Sequence, residues 1–74
     1  MTGAVNTLKV RVNDRARDVP EGLALHGLLE ELGLDGKQGV AVAVNSAVVP
    51  RAEWADRALA EGDQVLIIQA SQGG

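Results

Sequence analysis

Cysteine, phenylalanine and tyrosine are all missing from this 74-residue chain, and Trp54 is its single aromatic residue. Without thiols there is no disulfide framework, no thiolate metal site and no cysteine nucleophile. His26 is the one histidine. Alone it falls short of the three or four His, Cys or carboxylate ligands that zinc sites use, so no metal centre is expected. Basic residues are scarce too: seven Lys and Arg against ten Asp and Glu leave a net charge of -3. That is the wrong sign for a nucleic-acid footprint. No apolar run approaches the ~20 residues of a membrane-spanning helix. Lys9 and Arg11 interrupt the first apolar stretch, which argues against a secretory signal and for a cytoplasmic address.

What the chain does have is aliphatic bulk: nine Leu, ten Val and two Ile, with eleven Ala. A chain this short buries only about 60% of its unfolded surface, so its core must be economical. That inventory suffices for one sheet and one helix, and residues 1–74 read as a single domain.

Residues 1–6 carry no period and are expected to fray. From Leu8 the pattern alternates, with Leu8, Val10 and Val12 on one side and Lys9 and Arg11 on the other. This is a half-buried strand with one wet face. Asn13-Asp14 supplies turn chemistry, and Ala16–Val19 reads as a weaker return strand ended by Pro20. Leu25, Leu28, Leu29 and Leu32 then fall at i, i+3, i+4 and i+7, a helical stripe closed by Gly33 as a left-handed cap. The helix starts without a Ser, Thr or Asp and holds Gly27, at a cost of roughly 1 kcal/mol relative to Ala. Packing of the leucines must hold it.

Val40, Val42 and Val44 alternate with Ala41 and Ala43 as another strand, turned by Asn45-Ser46. Ala47–Val49 runs back until Pro50. Arg51–Leu59, with Trp54, reads as an irregular or short helical excursion. Glu61-Gly62-Asp63 is a turn, and Val65–Ile68 is an unbroken apolar run of strand length. Such a run is expected of a central strand, or of one whose second face meets something else. Hairpin, helix and further strands imply an α+β fold: a mixed four- to five-stranded sheet with one main helix across one face. The first and last strands would lie side by side in parallel, the β-grasp, ubiquitin-like roll.

Internal catalytic chemistry finds little support. His26 sits in a leucine-rich helix with no orienting partner in sequence, and reads as a helix-surface or boundary residue and not as a base. Glu30 and Glu31 are adjacent and splay to different helix faces, as solvated residues do. The distinctive feature is Gly73-Gly74, which follows the aperiodic pair Ser71-Gln72. Residues 71–74 read as a flexible tail. A terminal glycine carboxylate becomes an electrophile once its oxygen is made a leaving group, and glycines, lacking Cβ, can thread a narrow channel. No residue is expected to be catalytic; the chain would be a substrate for other enzymes.

Val44-Asn45, Val49-Pro50-Arg51, Trp54, Leu59, Gly62-Asp63, the run Val65–Ile68 and Gly73-Gly74 together resemble the ThiS family of thiamine-biosynthesis sulfur carriers. The likeness spans roughly residue 7 to the end, and the Asn45–Trp54 element is its discriminating part. One departure is Leu23, where family members often carry a Thr or Ser that caps the helix. The resemblance implies that a ubiquitin-activator-like enzyme adenylates Gly74, using ATP and magnesium that it binds itself; this chain would hold no cofactor. Sulfur from a persulfide-bearing donor enzyme would leave a thiocarboxylate on Gly74. Thiazole synthase would then take that sulfur into the thiazole ring, with Gly73 and Gly74 threaded into its active site.

Two further readings stay open. Asn45, Pro50 and Trp54 can be structural (turn, strand stop and core plug) or can touch a partner. If Val65 and Ile67 point inward, Leu66 and Ile68 are exposed beside Ala41 and Ala43. That would be a small apolar docking surface near the tail; the alternatives are simple edge burial and self-association. The alternatives for the whole chain are a carrier like the small subunit of molybdopterin synthase, and a β-grasp binding module whose tail does nothing covalent.

Overall fold

Two hairpins flank a single helix, and the last strand closes the sheet between them. The computed structural model describes residues 6–70. The expectations placed on residues 1–5 and on the tail 71–74, including Gly73 and Gly74, lie outside the described residues. The elements are β1 (Thr7–Val12), β2 (Arg15–Pro20), α1 (Leu25–Glu31), β3 (Val40–Val44), β4 (Ala47–Val48), a 3-10 helix at Arg51–Asp56, and β5 (Gln64–Gln69). The sheet has five strands in the order β2-β1-β5-β3-β4. β1 and β5 run parallel, with Arg11 opposite Gln64 and Val12 opposite Val65, while β3 pairs antiparallel with β5. The β-grasp expectation holds.

Strand alternation sends one set of side chains under α1. Val10, Val19, Val42, Val65 and Ile67 from the sheet meet Leu25, Leu28 and Leu29 of the helix, with Trp54 and Leu59 filling one side. The helix end follows the sequence pattern closely. Gly33 takes φ +76, its N–H donates to Glu30 O at 3.0 Å, and that of Leu34 donates to Leu29 O at 2.8 Å. Both orphan carbonyls are thereby used, and the buried Leu34 packs over the last turn.

Four details differ from the sequence reading. The helix N-cap is Ala24, with no side-chain cap, so the position left without a capping hydroxyl is Ala24 and not Leu23. Leu23 instead lies across Gly27: a Cβ there would come within 2.5 Å of Leu23 Cδ1. Asn6 is tied down, since its carbonyl accepts from Glu21 N–H at 2.9 Å. The β4 ladder stops at Val48, although Val49 N–H still donates to Val42 O at 2.9 Å.

The Arg51–Trp54 segment is chiefly structural. Trp54 is 1% exposed, and its indole Nε1–H donates to Val49 O at 2.9 Å, as a buried indole requires. Arg51 lies 4.6 Å from the Trp54 ring centroid. It donates to Asp35 O at 2.9 Å and to Lys37 O at 2.6 Å. One guanidinium thus fixes the connection between α1 and β3 against the 3-10 helix.

Candidate functional site

The outer face of the sheet, opposite α1, is where the chain departs from a purely inward-facing core. Val65 and Ile67 are buried, which by strand parity turns Leu66 and Ile68 outward; these are 51% and 54% exposed. Register places Ile68 beside Ala41 and Leu66 beside Ala43, and Ala43 has Val48 as its neighbour on β4. Val48 is 74% exposed. The alanines keep the β3 stripe low, so the longer side chains on either side stand above it. All four residues singled out from the sequence (Ala41, Ala43, Leu66 and Ile68) share this surface, and Val48 extends it. Sequence parity points to Val48 once Ala43 is assigned to the outer face.

The same strand leads toward the diglycine, and its path is fixed on both sides. At the Asn13-Asp14 turn both residues have positive φ, 50 and 70. Asn13 Oδ1 accepts from Ile67 N–H at 2.8 Å and Asn13 Nδ2 donates to Ile67 O at 3.2 Å. At the Asn45-Ser46 turn, φ is 52 and 73. There Asn45 Oδ1 accepts from Gln64 N–H at 3.0 Å, and its Nδ2 donates to Asp63 Oδ1 at 2.9 Å. Asp63, buried, also accepts from Ala60 N–H at 2.8 Å. Each turn asparagine therefore does more than tolerate a left-handed backbone; its amide bonds the strand that carries the tail.

The last described contact of that strand is Ala70 N–H donating to Gly39 O at 2.7 Å. Gly39 has φ +76, and a Cβ there would lie 3.3 Å from Ala70 Cβ. Both the dihedral and the close approach favour glycine here. Gly73 and Gly74 themselves lie beyond the described residues. Residues 71–74 have a contour of at most about 14 Å.

Away from this face, His26 is half-buried. It precedes Glu30 by one helical turn, and Asp35 returns from the following loop, so ligand atoms of the three lie within 4.8 Å of one another. The i, i+4 pair is readable from sequence; the third member comes from a loop that Arg51 positions. Exposed acidic groups commonly gather in this way without an ion. Glu31, by contrast, turns to β2 and meets Arg17 at 3.2 Å. No helix among the described residues is long and apolar enough to cross a membrane.

Comparison with known proteins places this architecture. The chain is 40% identical over 68 residues to the sulfur carrier protein ThiS of Escherichia coli, covering 90% of this chain and 100% of that one. A thiazole synthase of Paramagnetospirillum magneticum is 33% identical over 67 residues, which are 90% of this chain but only 20% of that protein. The crystal structure of the thiamine biosynthesis protein ThiS from Geobacter metallireducens superposes with a TM-score of 0.76 at 26% identity, covering 90% of this chain and 100% of that one. The ThiS family profile matches residues 6–74, and the chain belongs to the ThiS family.

Proposed function

We propose that this chain is a sulfur carrier for thiamine biosynthesis, acted on by partner enzymes and catalysing nothing itself. The observation that carries the reading is the family match, which runs from residue 6 through Gly73-Gly74. An activating enzyme holds ATP and magnesium, and the Gly74 carboxylate attacks the α-phosphate, expelling pyrophosphate to form an acyl adenylate. A persulfide then attacks the activated carbonyl and AMP leaves. A second thiol cleaves the acyl disulfide, so that a thiocarboxylate remains on Gly74 and a disulfide on the donor side. The charged carrier passes its sulfur to thiazole synthase.

The apolar outer face fits this role as the docking surface. Leu66 and Ile68 stand on the strand that leads to the tail, so an enzyme covering them would have the terminal residues within reach. The thiazole synthase relative contains a segment similar to nearly this whole chain, which supports that enzyme as a partner. Gly73 and Gly74, without Cβ atoms, suit a narrow passage into an active site.

Intact mass tests the reading. After incubation with ATP, magnesium, the activating enzyme and a sulfur source, the mass should rise by about 16 Da as one oxygen is exchanged for sulfur. An unchanged mass, with the activating enzyme shown to be competent on another carrier, would contradict the covalent role. Removal of Gly74 should abolish the shift and leave the fold intact.

A further inference from the structure

The apolar patch has a basic border on β1. Lys9 and Arg11 both point to the outer face, but their surroundings differ. Lys9 meets Asp18 across the hairpin at 3.5 Å. Arg11 stands opposite Ala16 on β2 and Gln64 on β5, so neither neighbour offers it a carboxylate. Its Nη2 donates to the Asp14 carbonyl at 3.3 Å, and among the described residues no ion pair engages it.

In front of this guanidinium is a recess of about 190 Å³, bordered by Arg11, Asp14, Ser46, Gln64, Ala43 and Leu66. Ala43 and Leu66 belong to the recess and to the apolar patch alike, so the two form one continuous surface. Arg11, the Ser46 hydroxyl and the Gln64 amide can all donate hydrogen bonds into the recess. The Asp14 carboxylate is the one acid on its border; its backbone carbonyl is the atom that orients the guanidinium.

We propose that this recess is a specificity contact: it receives an aspartate or glutamate side chain of the partner enzyme, while that enzyme's apolar surface covers Leu66 and Ile68. The proposal rests on the docking role given to this face above. Three arguments converge on a carboxylate. A guanidinium fork matches its two oxygens, and hydrogen bonds between ionised partners are the stronger kind. The chain as a whole is acidic, with a net charge of -3, so a local cation at the patch border discriminates one orientation of approach from the others. Covering the adjacent apolar side chains also removes water from the pair, which strengthens its attraction.

Binding kinetics test this with the thiazole synthase of the source organism immobilised and the carrier in solution. Arg11→Gln should lower the association rate about three- to tenfold and flatten its salt dependence, as loss of a rim charge does. Arg11→Glu should lower it by more than about tenfold, and Arg11→Lys should fall between wild type and Arg11→Gln. Leu66→Asp reports on the face itself and should abolish binding. Thermal melts of the three Arg11 variants should lie close to wild type, since that side chain is exposed. Leu66 is only 51% exposed and stands on a central strand, so Leu66→Asp should melt somewhat lower but still cooperatively. Wild-type rates and salt slope in both Arg11→Gln and Arg11→Glu, with Leu66→Asp impaired, would overturn the recess and leave the docking face standing. Unimpaired Leu66→Asp, or no binding by the wild-type chain, would overturn the docking face as well.

Discussion

The side chain of Asn13 pairs with the backbone of Ile67 in both directions, accepting from its N–H at 2.8 Å and donating to its carbonyl at 3.2 Å. The parallel β1–β5 ladder ends near Val12, where β1 turns away. Asn13 N–H donates to Val65 O at 2.9 Å, and its amide side chain then reproduces the next rung. β5 thus keeps a partner beyond the end of its neighbour, in the stretch that carries Leu66 and Ile68.

Replacing Asn13 should separate its two contributions. Asn13→Gly tolerates the positive φ but removes the rung, and should cost about 1–2 kcal/mol. Asn13→Ala adds the left-handed penalty, for a total of about 2–3 kcal/mol. Urea denaturation measures the difference, and the Ile67 amide should lose hydrogen-exchange protection in both. Equal stability of the two variants would mean that the backbone conformation at Asn13 carries no strain for alanine.

Asp63 ties the second turn to the strand. Its two oxygens accept from Asn45 Nδ2 and Ala60 N–H, and Arg57 lies 3.8 Å from Oδ2. Asp63→Asn offers one oxygen where two are used, so one donor must face an NH2 group. We expect a loss of about 2 kcal/mol in chemical denaturation. An unshifted midpoint would show that one of the two contacts contributes nothing.

Gly39→Ala addresses the point from which the tail departs. The substituted residue would hold φ +76 with its Cβ 3.3 Å from Ala70 Cβ, and should lose about 1–2 kcal/mol. Adding Ala70→Gly relieves the contact but not the dihedral, so the double variant should recover only part of the loss. Thermal melts of the cycle measure that coupling. Full recovery would show that crowding and not conformation sets the requirement for glycine.

Much of this fold is written in local pattern. Alternation over Leu8–Val12 and Val40–Val44, the leucine stripe and the Gly33 stop gave the elements, and Val65/Ile67 parity gave the exposed face. The contacts that position the site are of another kind. Asn13 and Ile67 are separated by 54 positions, and Asn45 and Asp63 by 18. Asparagine in a turn is already explained by its tolerance of positive φ, so nothing in the sequence signals a second use. Arg17 is a further case, a charged residue in the middle of β2. It stands opposite Val10, on the helix side, and lays its stem along the core to reach Glu31. The convergence of Asp35 on His26 and Glu30 depends on how a glycine-rich loop folds back, which no period encodes.

The anchoring of Ala70 to Gly39 has a consequence for how tightly the outer face needs to be held. In the proposed carrier role Gly74 lies four residues past that bond, so its carboxylate could reach no farther than about 14 Å from it, equivalent to a local concentration on the order of 100 mM. In that role a modest grip on Leu66 and Ile68 would be enough to keep the terminal carboxylate in a partner's active site. Release after each turnover could then stay fast, as a carrier handed between the proposed partner enzymes would need.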